Sequence, residues 1–259
     1  MPTAQTPPEP EHAVREHVQS PAGVRRRLLN WFDKARRDLP WRARPGQTPN
    51  PYHALVSEAM LQQTQVATVI PYFGRFIAEC PTVRDLAEAD EQAVLRLWQG
   101  LGYYRRARNL HAAAKAIVND HAGRVPDNVA ELLKLPGVGR YTAGAIASIA
   151  YNTRAPILDG NVARVLSRLC LIDTPTDATP TQKKLWAIAA GLVPKGRPGD
   201  FNQAMMELGA LVCTKANPTC DACPLSKQCK AFEADRVADV PVPAKRKAPV
   251  QVDHHIRAV

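Results

Sequence analysis

Two carboxylates and four thiols are the side chains of this sequence whose type and setting could do chemistry: Glu58, Asp159, Cys213, Cys220, Cys223 and Cys229. The cysteines run C-x6-C-x2-C-x5-C, four thiols within 17 residues, a spacing that closes around a small inorganic centre. Structural zinc usually takes two short knuckles, and here only Cys220 and Cys223 form a C-x2-C pair. Iron–sulfur clusters accept four thiolates at such uneven spacing, so a 4Fe-4S cluster is the expectation and zinc its rival. A disulfide framework would need an oxidising compartment, and the first thirty residues hold Pro, Glu and Arg without the apolar core of a secretory signal. Cys80 and Cys170 lie in apolar stretches and read as core residues.

Asp159 opens the segment DGNVARVLSRLC, in which Val162, Val165, Leu166 and Leu169 make one apolar stripe. An aspartate there is first of all an N-cap, and the positive end of a helix also favours its negative charge. Glu58 lies in HALVSEAMLQQTQVATVI, flanked by Val56, Ala59, Met60 and Leu61. A solvent-facing glutamate is the plain reading, but the polar run Gln62 to Gln65 breaks the amphipathic pattern, so this helix end faces something polar. A carboxylic acid held among apolar neighbours has a raised pKa and can serve as a general acid. One proton donor and one charged carboxylate is the pairing that breaks glycosidic bonds through an oxocarbenium-like state.

The elements that must position these groups read as helices. Apolar residues recur at three- and four-residue steps in 55–70, 91–98, 107–118, 129–135, 141–150, 162–171 and 182–193, and strand alternation is nearly absent. The expectation is an all-α protein of about ten helices, with Pro and Gly marking the turns. Asn128 followed by Glu131 suits an N-cap and its partner. Leu135-Pro136-Gly137-Val138-Gly139 then makes a tight turn into a second helix, bringing backbone N–H groups to a helix N-terminus where they can cradle phosphate. A ligand-free turn is the alternative for the turn alone, but the LPGVG string is that of a helix-hairpin-helix, which grips phosphates without reading sequence. Tyr103-Tyr104 before Arg105, Arg106 and Arg108 puts aromatic rings beside phosphate-seeking cations, or else begins an amphipathic helix with a solvated basic face.

With 34 Lys plus Arg against 24 Asp plus Glu, the 259-residue chain carries a net charge of +10, which suits a polyanionic partner. Apolar content of 45% is ample for a buried core, and no run approaches a membrane span. Reduced cysteines without a signal point to a cytoplasm, with a nucleus or organelle matrix as the alternative. Residues 1–22, rich in Pro and Glu, read as a disordered leader, and 236–259, rich in Pro, Lys and Val, as a linker.

Cysteine spacing, the hairpin and an aspartate about twenty residues beyond it together resemble the helix-hairpin-helix DNA glycosylase superfamily. Within it the chain resembles the MutY-type family of adenine DNA glycosylases, in the strings LPWR (39–42), SEAMLQQTQVATVIPYFGRF (57–76), LWQGLGYYRRARNLH (97–111), LPGVGRYTAGAI (135–146), ILDGNVARVL (157–166) and FNQAMMELGALVC (201–213). The resemblance implies two helical lobes flanking a DNA cleft: a six-helix barrel with the hairpin over 43–152, and a cluster lobe assembled from 23–42 and 153–235. It implies Glu58 as the acid that protonates adenine, Asp159 as the stabiliser of the cationic sugar, and Tyr141 and Asn161 as their hydrogen-bonding supports. Arg37, Trp41, Arg42, Leu61, Val66 and Glu207 would form the slot for a flipped base. Tyr103 would be an aromatic wedge, with Gln62, Gln63, Thr64 and the hairpin residues Gly137, Val138 and Gly139 on the DNA. Cys213, Cys220, Cys223 and Cys229 would hold the 4Fe-4S cluster, ordering a loop whose Lys215 could reach phosphate.

The related endonuclease III branch carries a lysine where Tyr141 stands, and a tyrosine cannot form a Schiff base with the sugar. The implied activity is therefore monofunctional hydrolysis of adenine opposite 8-oxoguanine or guanine, by a monomer that binds double-stranded DNA. A bifunctional glycosylase/lyase and a non-catalytic DNA-binding iron–sulfur protein are the alternatives. Members of the family continue through a linker into a second domain that recognises 8-oxoguanine, and this sequence stops in what looks like that linker.

Overall fold

A computed structural model describes residues 9–44 and 46–243, and its regular elements are all helical among the described residues. In chain order they are α1 (Pro10–His17), α2 (Pro21–Ala35), α3 (Pro51–Leu61), α4 (Val66–Glu79), α5 (Val83–Glu88), α6 (Glu91–Trp98), α7 (Arg105–Asp120), α8 (Val129–Leu132), α9 (Arg140–Tyr151), α10 (Gly160–Cys170), α11 (Thr179–Leu192), α12 (Pro198–Leu211) and α13 (Lys230–Glu233). Two short 3-10 turns, Cys220–Ala222 and Ser226–Gln228, lie within the cysteine loop. Helix starts are chemically specified. Ser20 accepts from Gly23 N–H ahead of Pro21, Asn50 accepts from Tyr52 N–H ahead of Pro51, and Thr82 and Asp85 close a capping box. Asn128 caps α8 by accepting from Glu131 N–H at 3.0 Å, but the Glu131 carboxylate pairs with Lys134 rather than completing the box.

The apolar stripes assemble two separate cores. One is built from α3 to α9 around Met60, Phe76, Leu86, Trp98, Ile117 and Ile146; the other from α1, α2 and α10 to α12 around Leu28, Phe32, Leu166, Ile188 and Phe201. Helix α9 is their common wall. Its Ala143, Ile146 and Ala147 belong to the first core and its Ala145 to the second, while it packs on α3 and on α12. Small residues on both faces let two helices approach it at once.

Three local expectations are corrected. The periodic run 55–70 is broken into α3 and α4 by a turn at 62–65, where the polar residues sit. Residues 10–17, expected to belong to a disordered leader, form α1 against α11, burying Ala13, Val14 and Val18. Three apolar residues in a Pro- and Glu-rich stretch are too few to show a period, yet enough to dock on a helix already in place. Of the expected linker, Val240 is buried and its carbonyl accepts from Arg168 Nε at 2.8 Å. Residues 1–8 and 244–259 lie outside the described residues.

Candidate active site

A cavity of about 200 Å³ opens between α3, α9, α12 and the N-terminus of α10. Glu58 enters it from α3 and is 7% exposed. Burial among apolar neighbours pushes its carboxyl up to about 7, against a downward pull from the Tyr141 hydroxyl; Asp159 adds to the rise and Arg42 offsets it. Asp159 is the N-cap of α10. Its Oδ1 accepts from Val162 N–H at 2.7 Å and its Oδ2 from Asn161 Nδ2 at 3.0 Å. The capping role and a place on the cavity wall thus coexist in one carboxylate. Tyr141, in the first turn of α9, donates its hydroxyl to Met206 Sδ at 3.1 Å. Burial holds its phenol well above the usual range, with Glu58 and Asp159 adding to the effect.

The other wall is ionic. Glu207 is 1% exposed and accepts five hydrogen bonds, three from Arg37 (N, Nε and Nη2) and two from Arg42. Burial alone would raise its carboxyl, but the bonds from Arg37 and Arg42 outweigh that and hold it down at about 2. Trp41, Leu61 and Val66 supply apolar surface to the cavity. Trp41 is braced edge-on by Phe73 at 5.4 Å, and Phe73 in turn by His53. All ten residues expected at the catalytic pair and the base slot line this cavity, together with Thr64. Gln203, Met206 and Ala210 line it too and were not anticipated. They share one face of α12 with Glu207 at helical spacing, so placing Glu207 would have placed them.

Gln62, Gln63 and Tyr103 lie on turns outside the cavity. Gln63 and Tyr103 both have left-handed backbones, with φ of 57° and 49°, and Tyr103 is 64% exposed. One residue holds both turns. Arg106 Nη1 donates to the carbonyls of Met60 and Gln62, and its Nη2 to those of Leu101 and Gly102 and to Thr64 Oγ1. Arg106 is therefore buried, a correction to its expected place among the surface cations; Arg105 stays exposed and Arg108 pairs with Glu91. Strained, exposed residues over a rigid staple are the usual setting of ligand contacts.

In the hairpin, Gly137 has φ +74°, and a Cβ there would meet Asn109 at 2.6 Å, so only glycine fits. Gly139 begins α9 without a side-chain cap, and the N–H groups of Gly137 and Gly139 make no backbone bond. Val138 differs from expectation: its side chain is in the core and its N–H donates to the Leu135 carbonyl, which leaves the flanking glycines to present donors.

The four cysteines of the loop line one small cavity with Arg168, Val212 and Phe232. Among the described residues no group of His, Cys, Asp or Glu already stands at metal-binding spacing. The donor set nevertheless suits a thiolate centre. Arg168 Nη1 lies 3.4 Å from Cys213 Sγ, and backbone N–H groups of Leu225, Ala231 and Phe232 point at the sulfurs of Cys223 and Cys229. Burial pushes the Cys223 thiol up to about 12, so a cation is what would turn these buried thiols into thiolates. The loop is tied to the active site through α10. Arg164 Nε donates to the Cys213 carbonyl, and its Nη2 to Asn161 Oδ1 and to the Gly209 carbonyl. A Cβ on Gly209 would meet Asn161 at 2.6 Å, so α12 lies directly on this relay.

The model of the HhH-GPD superfamily of base excision DNA repair proteins matches residues 56–190, just over half of the chain. Adenine DNA glycosylases of Rattus norvegicus and Homo sapiens are each 48% identical, over 88% and 85% of this chain. The chain spans only 45% and 41% of those two proteins. Among solved structures, a thermostable thymine-DNA glycosylase superimposes with a TM-score of 0.71 at 29% identity, over 83% of this chain and 98% of that one. An endonuclease III–DNA covalent intermediate shares the fold at a TM-score of 0.68 and 24% identity, over 84% and 97%. No described helix is long and apolar enough to cross a membrane. The chain belongs to the HhH-GPD superfamily of base excision DNA repair proteins, and its likeness to adenine DNA glycosylases runs over most of its length.

Proposed function

We propose that this chain carries the base-excising part of an adenine DNA glycosylase, hydrolysing the N-glycosidic bond of adenine paired with 8-oxoguanine or guanine and leaving an abasic site. The observation that carries the reading is a carboxyl pushed to about 7, Glu58, sharing one cavity with the α10 N-cap Asp159. Near neutral pH Glu58 donates its proton to a ring nitrogen of the flipped adenine as the bond to the sugar lengthens, making the base a neutral leaving group. Asp159 stabilises the positive charge left on the sugar, and Asn161 holds that carboxylate in place. A water adds its hydroxyl to the anomeric carbon, and its released proton resets the carboxyl pair. Tyr141 occupies the position from which an amine would attack the sugar, so the strand is not cut.

Trp41, Leu61 and Val66 enclose the base, and Arg37 and Arg42, held by Glu207, present guanidinium edges to it. The duplex lies across both lobes, domains 43–152 and 23–42 with 153–235. The hairpin N–H groups of Gly137 and Gly139 hold phosphate, and Tyr103 enters the stack beside Gln62, Gln63 and Thr64. Cys213, Cys220, Cys223 and Cys229 hold a 4Fe-4S cluster, which acts as a cross-link ordering their loop and presenting Lys215 to phosphate. The protein works as a monomer wherever its DNA is, a bacterial nucleoid or, in the alternative, a nucleus or organelle.

A single-turnover assay on 8-oxoguanine:A and G:A duplexes tests this. The expected result is release of adenine with strand breakage only after alkali. Borohydride trapping of a protein–DNA adduct would support a glycosylase/lyase instead. Salt-sensitive duplex binding without base release from either mispair would leave a non-catalytic iron–sulfur protein.

A further inference from the structure

Beyond Cys229, the last cysteine of the loop, the chain folds back. Helix α13 ends in a left-handed Asp235, φ 53°, and the Arg236 N–H donates to the Ala231 carbonyl at 2.8 Å, the closing bond of a Schellman turn. The turn returns residues 236–240 to the cysteine loop. Val237 joins the four cysteines in the wall of their cavity, and Val240 is 1% exposed. The anchor is Arg168 of α10, itself 3% exposed. Its Nε donates to the Val240 carbonyl at 2.8 Å and its Nη1 to the Thr214 carbonyl at 2.7 Å. Nη1 also faces Cys213 Sγ, and Nη2 the Lys215 carbonyl, both at 3.4 Å. Among the described residues the partners of this guanidinium are three carbonyls and one sulfur, so a buried positive charge meets no carboxylate. Thiols that lose their protons on binding a metal would supply the missing negative charge.

We propose that residues 236–240 are a strap closing the outer wall of the thiol site, with Val237 as its cover and Val240 as its anchor, so that metal occupancy and docking of the strap support each other. The proposal rests on the four cysteines holding a metal centre. Thiolates formed on the metal offset the charge of Arg168 and steady the group that holds Val240. The docked Val237 in turn keeps water and competing ligands from the sulfurs. By linkage, each event favours the other by the same free energy.

The test uses the full chain with the metal it carries when purified, compared with Val240→Asp, Val237→Ser and Ala238→Asp. The first places a charge where the anchor is buried, and the second trims the cover. The third puts the same charge on an exposed position of the strap and serves as the control. Metal loss to a chelator is followed by visible absorbance and elemental analysis, and trypsin cleavage after Arg236 is followed by mass spectrometry. Val240→Asp and Val237→Ser are expected to lose metal about 10-fold faster than the parent, the order of effects from groups around a metal's ligands. Ala238→Asp should keep the parent's rate, and stripping the metal from the parent should speed cleavage after Arg236. Equal metal loss from Val237→Ser and the parent, or cleavage indifferent to the metal, overturns the proposal. Should Val240→Asp fail to fold, Val237→Ser and the cleavage assay decide it. Zinc in place of iron in the purified chain would defeat the 4Fe-4S reading, while the strap is still judged by the same loss and cleavage rates.

Discussion

Arg164 Nε donates to the backbone carbonyl of Cys213 at 2.7 Å, and its Nη2 to Asn161 Oδ1 at 2.8 Å. Asn161 in turn holds Asp159, so three hydrogen bonds join the first cysteine of the four-cysteine loop to a carboxylate of the candidate active site. Replacing Arg164 by Leu should lower the single-turnover excision rate by about 10–100-fold, the order expected when a catalytic group shifts by up to an ångström. The same variant should lose iron to a chelator faster than the parent chain. Unchanged excision would show that the relay positions nothing.

Glu58→Gln is expected to abolish excision while mispair binding survives, as read by gel shift and base release. Its effect on stability has a definite sign. The folded carboxyl is raised to about 7, so the penalty of ionising it in place is absent below about pH 4.5, grows between those values and is complete above pH 7. At pH 8 the glutamine variant should therefore be more stable to urea by up to about 3 kcal/mol, with no gain near pH 4. A variant less stable than the parent at pH 8 would contradict the burial argument.

Asp159 has two duties that substitution can separate. Asn caps helices as well as Asp does, whereas Ala costs about 1 kcal/mol. Asp159→Asn should unfold at the parent's urea midpoint and Asp159→Ala earlier, while both lose excision. Retained activity in the asparagine variant would mean that the carboxylate's charge is not used.

The turns held by Arg106 predict a contrast of the opposite kind. Tyr103→Ala removes an exposed ring, so stability should stay within about 0.5 kcal/mol. Binding to a mispaired duplex should weaken by about 5–100-fold, the range for losing one stacked base. Arg106→Met removes the donor to the carbonyls of Ala59, Met60, Gln62, Leu101 and Gly102 and to Thr64 Oγ1, of which Gly102 keeps another in Trp98 Nε1, and should lower both stability and binding.

Much of the site was legible because its residues carry their own local logic. Asp159 precedes an apolar stripe, Gly137 sits where only glycine fits, and Glu58 interrupts an apolar helix. Partners distant in sequence were not legible from local pattern. Arg106 reads as one cation among three until the carbonyls of Met60 and Leu101 are seen converging on it, 46 and 5 residues away. Helix α1 could not be read because its period is too short, and the break at 62–65 because apolar residues continue on both sides of it.

The paired arginines on Glu207 have an electrical consequence. Arg37 and Arg42 bring two positive charges into the cavity, Glu207 and Asp159 bring two negative ones, and protonated Glu58 brings none. With Glu58 protonated, these charges cancel before a base arrives. In the proposed reaction, a proton passing from Glu58 to adenine would create the new cation and the new carboxylate together and leave the total at zero. Burying an uncompensated charge is costly, so the proposed reaction would begin without drawing an ion in from solvent.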